Sequence, residues 1–422
     1  QYPYSMRLTA RLGSLALIPA AAAFGYSNLE YCNLLKHDID RERKAKEAIS
    51  RYMTERGIPG LSVAVSVDGR VRYSDGFGYA DLETGAPCTA NTVMRIASIS
   101  KPITSTVAAL LVDKGKIDLS QPIQKYIPDF PKKTFNNNPT EITTRMLLSH
   151  TGGIRHYEKK GEQKAVSDGA APKTSEFYLN KPFADVTEAL KMFSEDELVS
   201  EPGETFSYTT HGFTMVAAIC EKVSGDKFEN LLTDLFRRLG MRNTLLDRNA
   251  IIVPNRAKYY NRNSKGLLEN TPEVDNSYKW AGGGVLSTAP DLLIFANSIL
   301  YSHQSSLSSS TLPKPLISFQ TISDFWKGEI SIGRYELSAL GWMRVNVPEG
   351  GSVGGAIDAR SRGGYWYHSG GAVGASSVLY IQPSNGEAIN GPRGICVAIL
   401  VNIQSCSVQK LAEELAEIYR EY

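Results

Sequence analysis

Strand-like patterning in this chain is confined to its two ends. Near the start, Leu61, Val63, Val65 and Val67 alternate with Ser62, Ala64 and Ser66. Asp68-Gly69 then turns the chain into a second strand through Val71 and Tyr73, so the pattern is a hairpin. Near the far end, Val378–Ile381 and Ile395–Val401 are apolar runs of strand length, and Val408–Tyr422 has helical spacing. A helix is expected over Arg41–Arg56, where Ala45, Ala48, Ile49, Tyr52 and Met53 recur on one face and Gly57 supplies the stop. Further helical patterns lie at Val107–Leu111, Val186–Phe193 and Phe213–Val223. One sheet built from both ends, interrupted by a helical middle, satisfies this order, which makes the fold α+β. At roughly 150 residues per domain, 422 residues suit two or three units. The division expected is a leading segment 1–40, a discontinuous sheet domain from 41–130 and 271–422, and a mainly helical domain over 131–270.

Three stretches read as loops. Glu158–Glu176 is polar and weakly patterned, a mobile insertion in the helical region, while Ser305–Ser310 is serine-rich and Gly350–Gly364 glycine-rich. The first thirty residues stand apart: before Glu30 the only charges are Arg7 and Arg11, followed by the apolar stretch Leu15–Phe24. That stretch is broken by Pro19 and is short for a membrane span. A basic, acid-free start bearing serine and alanine reads as a mitochondrial import segment, with a membrane anchor as the alternative.

Charge and cysteine usage remove several function classes. Lys and Arg total 46 against 44 acids, a net +2, so no long-range field draws nucleic acid or acidic lipid. The five cysteines, Cys32, Cys88, Cys220, Cys396 and Cys406, are scattered without a CxxC pair, which indicates neither a disulfide framework nor a zinc cluster. No HExxH, Walker loop or GxGxxG occurs, so neither metal nor nucleotide cofactor is expected.

Three segments carry chemistry. In Arg95-Ile96-Ala97-Ser98-Ile99-Ser100-Lys101-Pro102, proline fits only the first turn of a helix, which puts the helix start near Ser98. Ser98 and Lys101 then share a face at i and i+3, and the helix start is electropositive. A serine there, beside an amine, is placed as an activated nucleophile, although a helix-capping serine beside a solvated lysine has the same pattern. Tyr208 follows the Pro202-Gly203 turn and precedes a helix beginning near Gly212. Its phenol, of pKa about 10, can relay a proton, or it is a core tyrosine. In Tyr365-Trp366-Tyr367-His368-Ser369-Gly370-Gly371 the alternating aromatics suggest a strand, and the glycines admit a substrate carbonyl close to the backbone. The N–H groups of Gly371 and Ser98 together could hold an oxyanion. Gly350-Gly351-Ser352-Val353-Gly354, with Asp358 and His368 following, matches GxSxG but lacks the preceding strand and following helix that this motif needs.

Together these segments resemble the serine β-lactamase and penicillin-binding superfamily, in its class C and D-peptidase branch, which reads SxxK, then YxN, then Lys/His-Thr/Ser-Gly. The matching residues are Ser98 with Lys101, Tyr208 with Thr210, and His368 with Ser369 and Gly370. Leu148–Gly153 and Gly282–Thr288 agree as well, so the resemblance spans about residues 41 to 422. Met94–Lys101, Gly153–Lys159, Val274–Trp280 and His368–Ser377 resemble in particular the branch of this family found in animal mitochondria. The resemblance implies an antiparallel sheet flanked by helices. It implies catalytic Ser98, Lys101 and Tyr208, an oxyanion hole at Ser98 and Gly371, and substrate contacts from Thr210, His368, Ser369 and Gly370. It also implies a serine protease of the intermembrane space that self-assembles into filaments and influences lipid metabolism. Two departures stand out. Thr210 replaces an amide with a shorter hydroxyl. His368 replaces the lysine of true β-lactamases, so carboxylate recognition weakens once the imidazole is neutral. Peptide or other acyl bonds are therefore the expected substrates, with a carboxylesterase and a filament-forming scaffold of little turnover as alternatives.

Overall fold

The computed structural model describes residues 28–157, 175–305, 313–346, 364–384 and 391–420. The polar stretch up to residue 174, the serine-rich loop from 306 and the GxSxG match lie outside the described residues. Asp68 and Gly69 both take left-handed backbone (φ 49° and 74°) and join β1 (Gly60–Val67) to β2 (Arg70–Asp81), the hairpin read from the sequence. Next along the chain comes the short β3 (Ala86–Pro87), and much later β4 (Ile330–Ser331), β5 (Glu336–Ser338) and β6 (Met343–Val345). The long strands β7 (Tyr365–Ala372), β8 (Ala375–Pro383) and β9 (Gly394–Val401) follow. These nine form one sheet of order β4-β5-β6-β7-β8-β9-β1-β2-β3, antiparallel throughout. Its centre joins the two ends of the chain, with Leu61 opposite Val401 and Val67 opposite Ile395.

Both faces of the sheet are covered. Ser66 faces one side, where its Oγ lies 3.2 Å from Asn297 Oδ1 on a helix spanning Ala289–Gln304. Neighbouring strand residues point oppositely, so Val65 and its partner Tyr73 face the other side. There Tyr73 stacks on Tyr419 of the closing helix Gln409–Arg420, with ring centroids 6.2 Å apart. Val63, Val65, Val397 and Ile399 are completely buried on that side, each stabilising the fold by about 1.5–3 kcal/mol. The serines that alternate with these residues are buried too, because Ser62 Oγ donates to the Ala90 carbonyl (3.1 Å) and Ser66 meets Asn297.

Residues 1–51 and 52–422 are two units. In the first, a helix runs from Asn28, earlier than the start at Arg41 read from the apolar spacing. Its Arg43 pairs with Asp40 and Glu47 one turn away on either side. No described helix is long and apolar enough to cross a membrane.

The stretch between the two halves of the sheet holds α1 (Ser100–Asp113) and α2 (His211–Ser224), which pack on each other. It is not purely helical, since two small hairpins lie at Lys133–Thr140 and Tyr260–Asn270. Glu176, at the end of the presumed insertion, is drawn into a fixed network. Arg155 grips both its oxygens (2.9 Å each) and His211 Nε2 lies 2.7 Å from Oε2.

Candidate active site

A single turn of 3₁₀ helix, Ala97–Ile99, leads into α1, with Pro102 in its first turn as the sequence requires. Ala97 adopts φ 49°, a left-handed conformation that costs about 1–2 kcal/mol for a residue with a Cβ. Neighbours hold it there. Ile96 N donates to the Val285 carbonyl (3.0 Å), Ser377 Oγ to the Ile96 carbonyl (2.8 Å), and Ser100 Oγ to the Ala97 carbonyl (2.7 Å). The kink leaves Ser98 half-buried at the mouth of α1 while Ala97, Ile99 and Lys101 are fully enclosed.

Lys101 Nζ lies 3.1 Å from Ser98 Oγ, 3.3 Å from Thr210 Oγ1 and 2.6 Å from the Gly282 carbonyl. Burial pushes its pKa well below the ordinary lysine value, and the nearby Lys279 ammonium adds to that. A neutral amine has two N–H donors and one lone pair. The carbonyl and Thr210 Oγ1 take the donors, leaving the lone pair to accept the Ser98 hydroxyl proton. Tyr208 OH donates to Ser98 Oγ at 2.8 Å. Burial raises the Tyr208 pKa, against the opposing effect of that hydrogen bond, so at neutral pH it is a phenol and a proton donor. The Lys101 amine and the Tyr208 phenol thus face Ser98 Oγ from two sides.

Tyr208 is held by a residue whose role was not assigned from the sequence. His150, itself left-handed at φ 61°, stacks beneath the phenol ring with centroids 4.4 Å apart. Its Nδ1 accepts from Thr209 N (3.1 Å) and its carbonyl from Ser207 N (2.7 Å). It belongs to the Leu148–Gly153 stretch, noticed only as a matching segment.

Strand β7 forms the opposite wall. His368 Nδ1 lies 2.7 Å from the Ser369 carbonyl; a carbonyl only accepts, so Nδ1 carries the proton. Burial, with a smaller contribution from the Lys101 charge, pushes the His368 pKa down to about 3. The ring is therefore neutral and its buried Nε2, which has no protein partner, offers a lone pair. A histidine in this state accepts a hydrogen bond; it does not pair with a carboxylate. Gly370 packs behind the wall, where a Cβ would meet Ile96 O at 2.6 Å and Ala97 Cβ at 2.9 Å.

The structure gathers Ser98, Tyr208, Thr210, His368, Ser369 and Gly371 on one cleft of about 520 Å³. Lys101 lies beneath it and Gly370 behind it. The cleft is completed by His156, Tyr157, Phe177, Phe206, Ile332, Glu336, Met343 and Tyr367, none of which the sequence motifs marked as site residues. Among the described residues no lysine or arginine lines it, and the one carboxylate, Glu336, accepts from Tyr367 OH. Among the described residues no cluster of His, Cys, Asp or Glu could hold a metal.

A serine flanked by a buried lysine and a tyrosine, beside β7 of an antiparallel sheet with helices on both faces, belongs to the β-lactamase/transpeptidase-like α+β fold. Two solved structures and one sequence relative place it further. An octameric penicillin-binding protein homologue from Pyrococcus abyssi superposes with a TM-score of 0.66 over 89% of this chain and 76% of its own, at 23% identity. EstCE1, a hydrolase with promiscuous acyltransferase activity, superposes with a TM-score of 0.71 over 90% of this chain and 99% of its own, at 18% identity. At those identities the likeness is one of fold. The human serine beta-lactamase-like protein LACTB, mitochondrial, is 37% identical over 88% of this chain and 78% of its own length. The beta-lactamase family model matches residues 45–419, and the chain belongs to that family.

Proposed function

We propose that the protein is a serine hydrolase that cleaves peptide or related acyl bonds through an acyl-enzyme on Ser98. The observation that carries this reading is the placement of Lys101 Nζ and Tyr208 OH at 3.1 and 2.8 Å on either side of Ser98 Oγ. Lys101 takes the Ser98 proton as Oγ bonds to the acyl carbon. The N–H groups of Ser98 and Gly371 hold the oxyanion, each contributing about 3 kcal/mol. The intermediate collapses by breaking the bond to the leaving group, which receives a proton from Tyr208, and Tyr208 is reprotonated from Lys101. Water then attacks the ester as Lys101 takes its proton, and Lys101 returns that proton to Ser98 Oγ as the acyl–Oγ bond breaks, releasing the acid and restoring Ser98. Thr210 anchors Lys101, while His368 and Ser369 form the substrate edge and Gly370 backs it.

The neutral His368 and a cleft lined, among the described residues, by no lysine or arginine support uncharged acyl groups over substrates carrying a carboxylate, as β-lactams do. In the same proposal the sheet domain (41–130 and 271–422) supplies Ser98 and His368, and the inserted region (131–270) supplies Tyr208. A mitochondrial, intermembrane-space location, self-assembly into filaments and a link to lipid metabolism are carried over from the family resemblance. The test is labelling by a fluorophosphonate with peptide mapping. Ser98→Ala is expected to lose the label, and a mutant labelled as fully as the wild type overturns the assignment.

A further inference from the structure

A second buried lysine stands behind the cleft. Lys279 precedes the short helical turn Trp280–Gly283, whose Gly282 carbonyl binds Lys101, and is only 3% exposed. Its Nζ is surrounded by three rings, with centroids of Tyr157, Phe177 and Tyr278 at 5.2, 5.1 and 5.0 Å. The Phe177 carbonyl is 3.5 Å away, and among the described residues no carboxylate lies within ion-pair distance. Aromatic faces stabilise a desolvated ammonium in the way a carboxylate otherwise would. Two of these rings, Tyr157 and Phe177, also line the cleft. Tyr157 stacks on His156 (4.0 Å), which meets Tyr208 edge-on (5.6 Å).

We propose that Lys279 is a positioning residue for the hydrolytic site: its caged ammonium fixes the aromatic wall of the cleft and, by like charge, repels the proton from Lys101. This inference rests on the Ser98 acyl-enzyme reading. Among the described residues, the charged and titratable groups that act on or touch Lys279 are Arg95, Asp247, His156, Lys101, Tyr157 and Tyr278, with Glu176 beyond the two tyrosines. Asp247 is already engaged by Arg95 (2.8 Å) and Asn276 (2.7 Å), and Glu176 by Arg155 and His211. Burial and the Arg95 charge bring the Lys279 pKa down to about 7, against an opposing pull from Asp247. Below neutrality Lys279 is therefore charged and pushes Lys101 toward its neutral, basic form. Removing that charge lets Lys101 keep its proton to a higher pH.

The experiment is the rate of fluorophosphonate labelling against pH for the wild type, Ser98→Ala, Lys279→Met and Lys279→Arg. In Lys279→Met the acidic limb is expected to move to higher pH, giving about a tenfold loss of rate below the limb, while Lys279→Arg keeps the wild-type limb. A purely structural role would lower the rate at every pH without moving the limb. If Lys279→Met is insoluble, Lys279→Gln takes its place with the same expectation. An unmoved limb in the neutral variant, or an equal shift in Lys279→Arg, overturns the inference alone. Wild-type labelling that survives in Ser98→Ala overturns the hydrolase reading and this inference with it.

Discussion

Substituting Gly370 by alanine tests how closely β7 must approach the nucleophile turn. An alanine Cβ would lie 2.2 Å from Ser377 Oγ, 2.6 Å from the Ile96 carbonyl and 2.9 Å from Ala97 Cβ. Ser377 can rotate, but only by giving up its bond to Ile96, worth about 1 kcal/mol. The Ile96 carbonyl is backbone and has no such freedom. Opening 2.6 Å to the 3.4 Å of ordinary contact requires the strand and the turn to part by about 0.8 Å. Overpacking of this kind costs about 1–3 kcal/mol in stability. The same displacement separates Ser98 from the wall carrying His368 and Gly371, and misplacement on the order of 1 Å costs about 10²-fold in rate. The assay is paired: the urea midpoint, and the fluorophosphonate labelling rate at Ser98. Gly371→Ala is the stability control, since a Cβ there meets nothing within 4 Å and the midpoint should not move. A Gly370→Ala protein that keeps both the wild-type midpoint and the wild-type rate would refute the claim that this approach is sterically fixed. A midpoint that falls equally in both variants would also refute it.

Two further outcomes follow from the site. Tyr208→Phe removes the proton donated to Ser98 Oγ at 2.8 Å, and kcat/KM should fall by about 10²–10³ with KM little changed; unaltered turnover would exclude the phenol as a relay. His368→Lys places a cation where the wild type offers a neutral acceptor, so acylation by a carboxylate-bearing chromogenic cephalosporin should rise relative to a neutral ester. An unchanged ratio would show that polarity at this position does not select the substrate.

What was legible in the sequence was local. Ser98 and Lys101 could be paired because three residues of helix and one proline fix their geometry. The hairpin at Asp68-Gly69 was legible because only a left-handed turn accommodates that pair. Tyr208, Thr210 and His368 were recovered from the order of motifs, with their protonation states left open, because burial sets those and burial is a property of the assembled fold. Lys279 and His150 lay inside matching stretches yet showed no role. The cage around Lys279 closes from residues 157, 177 and 278, and no local spacing encodes that meeting. Ser62 and Ser66 show the converse: a small, polar alternation suggests an outer face, but hydroxyls that find a carbonyl and an amide are buried without penalty.

The pairing of β1 with β9 has a consequence for when the protein can act. Leu61 finds its partner at Val401, 340 positions later. Contacts this distant close late, because the entropy of so long a loop is lost before any pairing repays it. A nascent chain that has passed Lys101 already contains Ser98 and Lys101, yet the strand bearing His368 and Gly371 and the central strand Gly394–Val401 are still to be made. Reactivity is thereby tied to completion of the sheet: the cleft has no second wall until the far end of the chain arrives. In the hydrolase proposed above, that ordering leaves the cleft around Ser98 incomplete until β7 and β9 have been made.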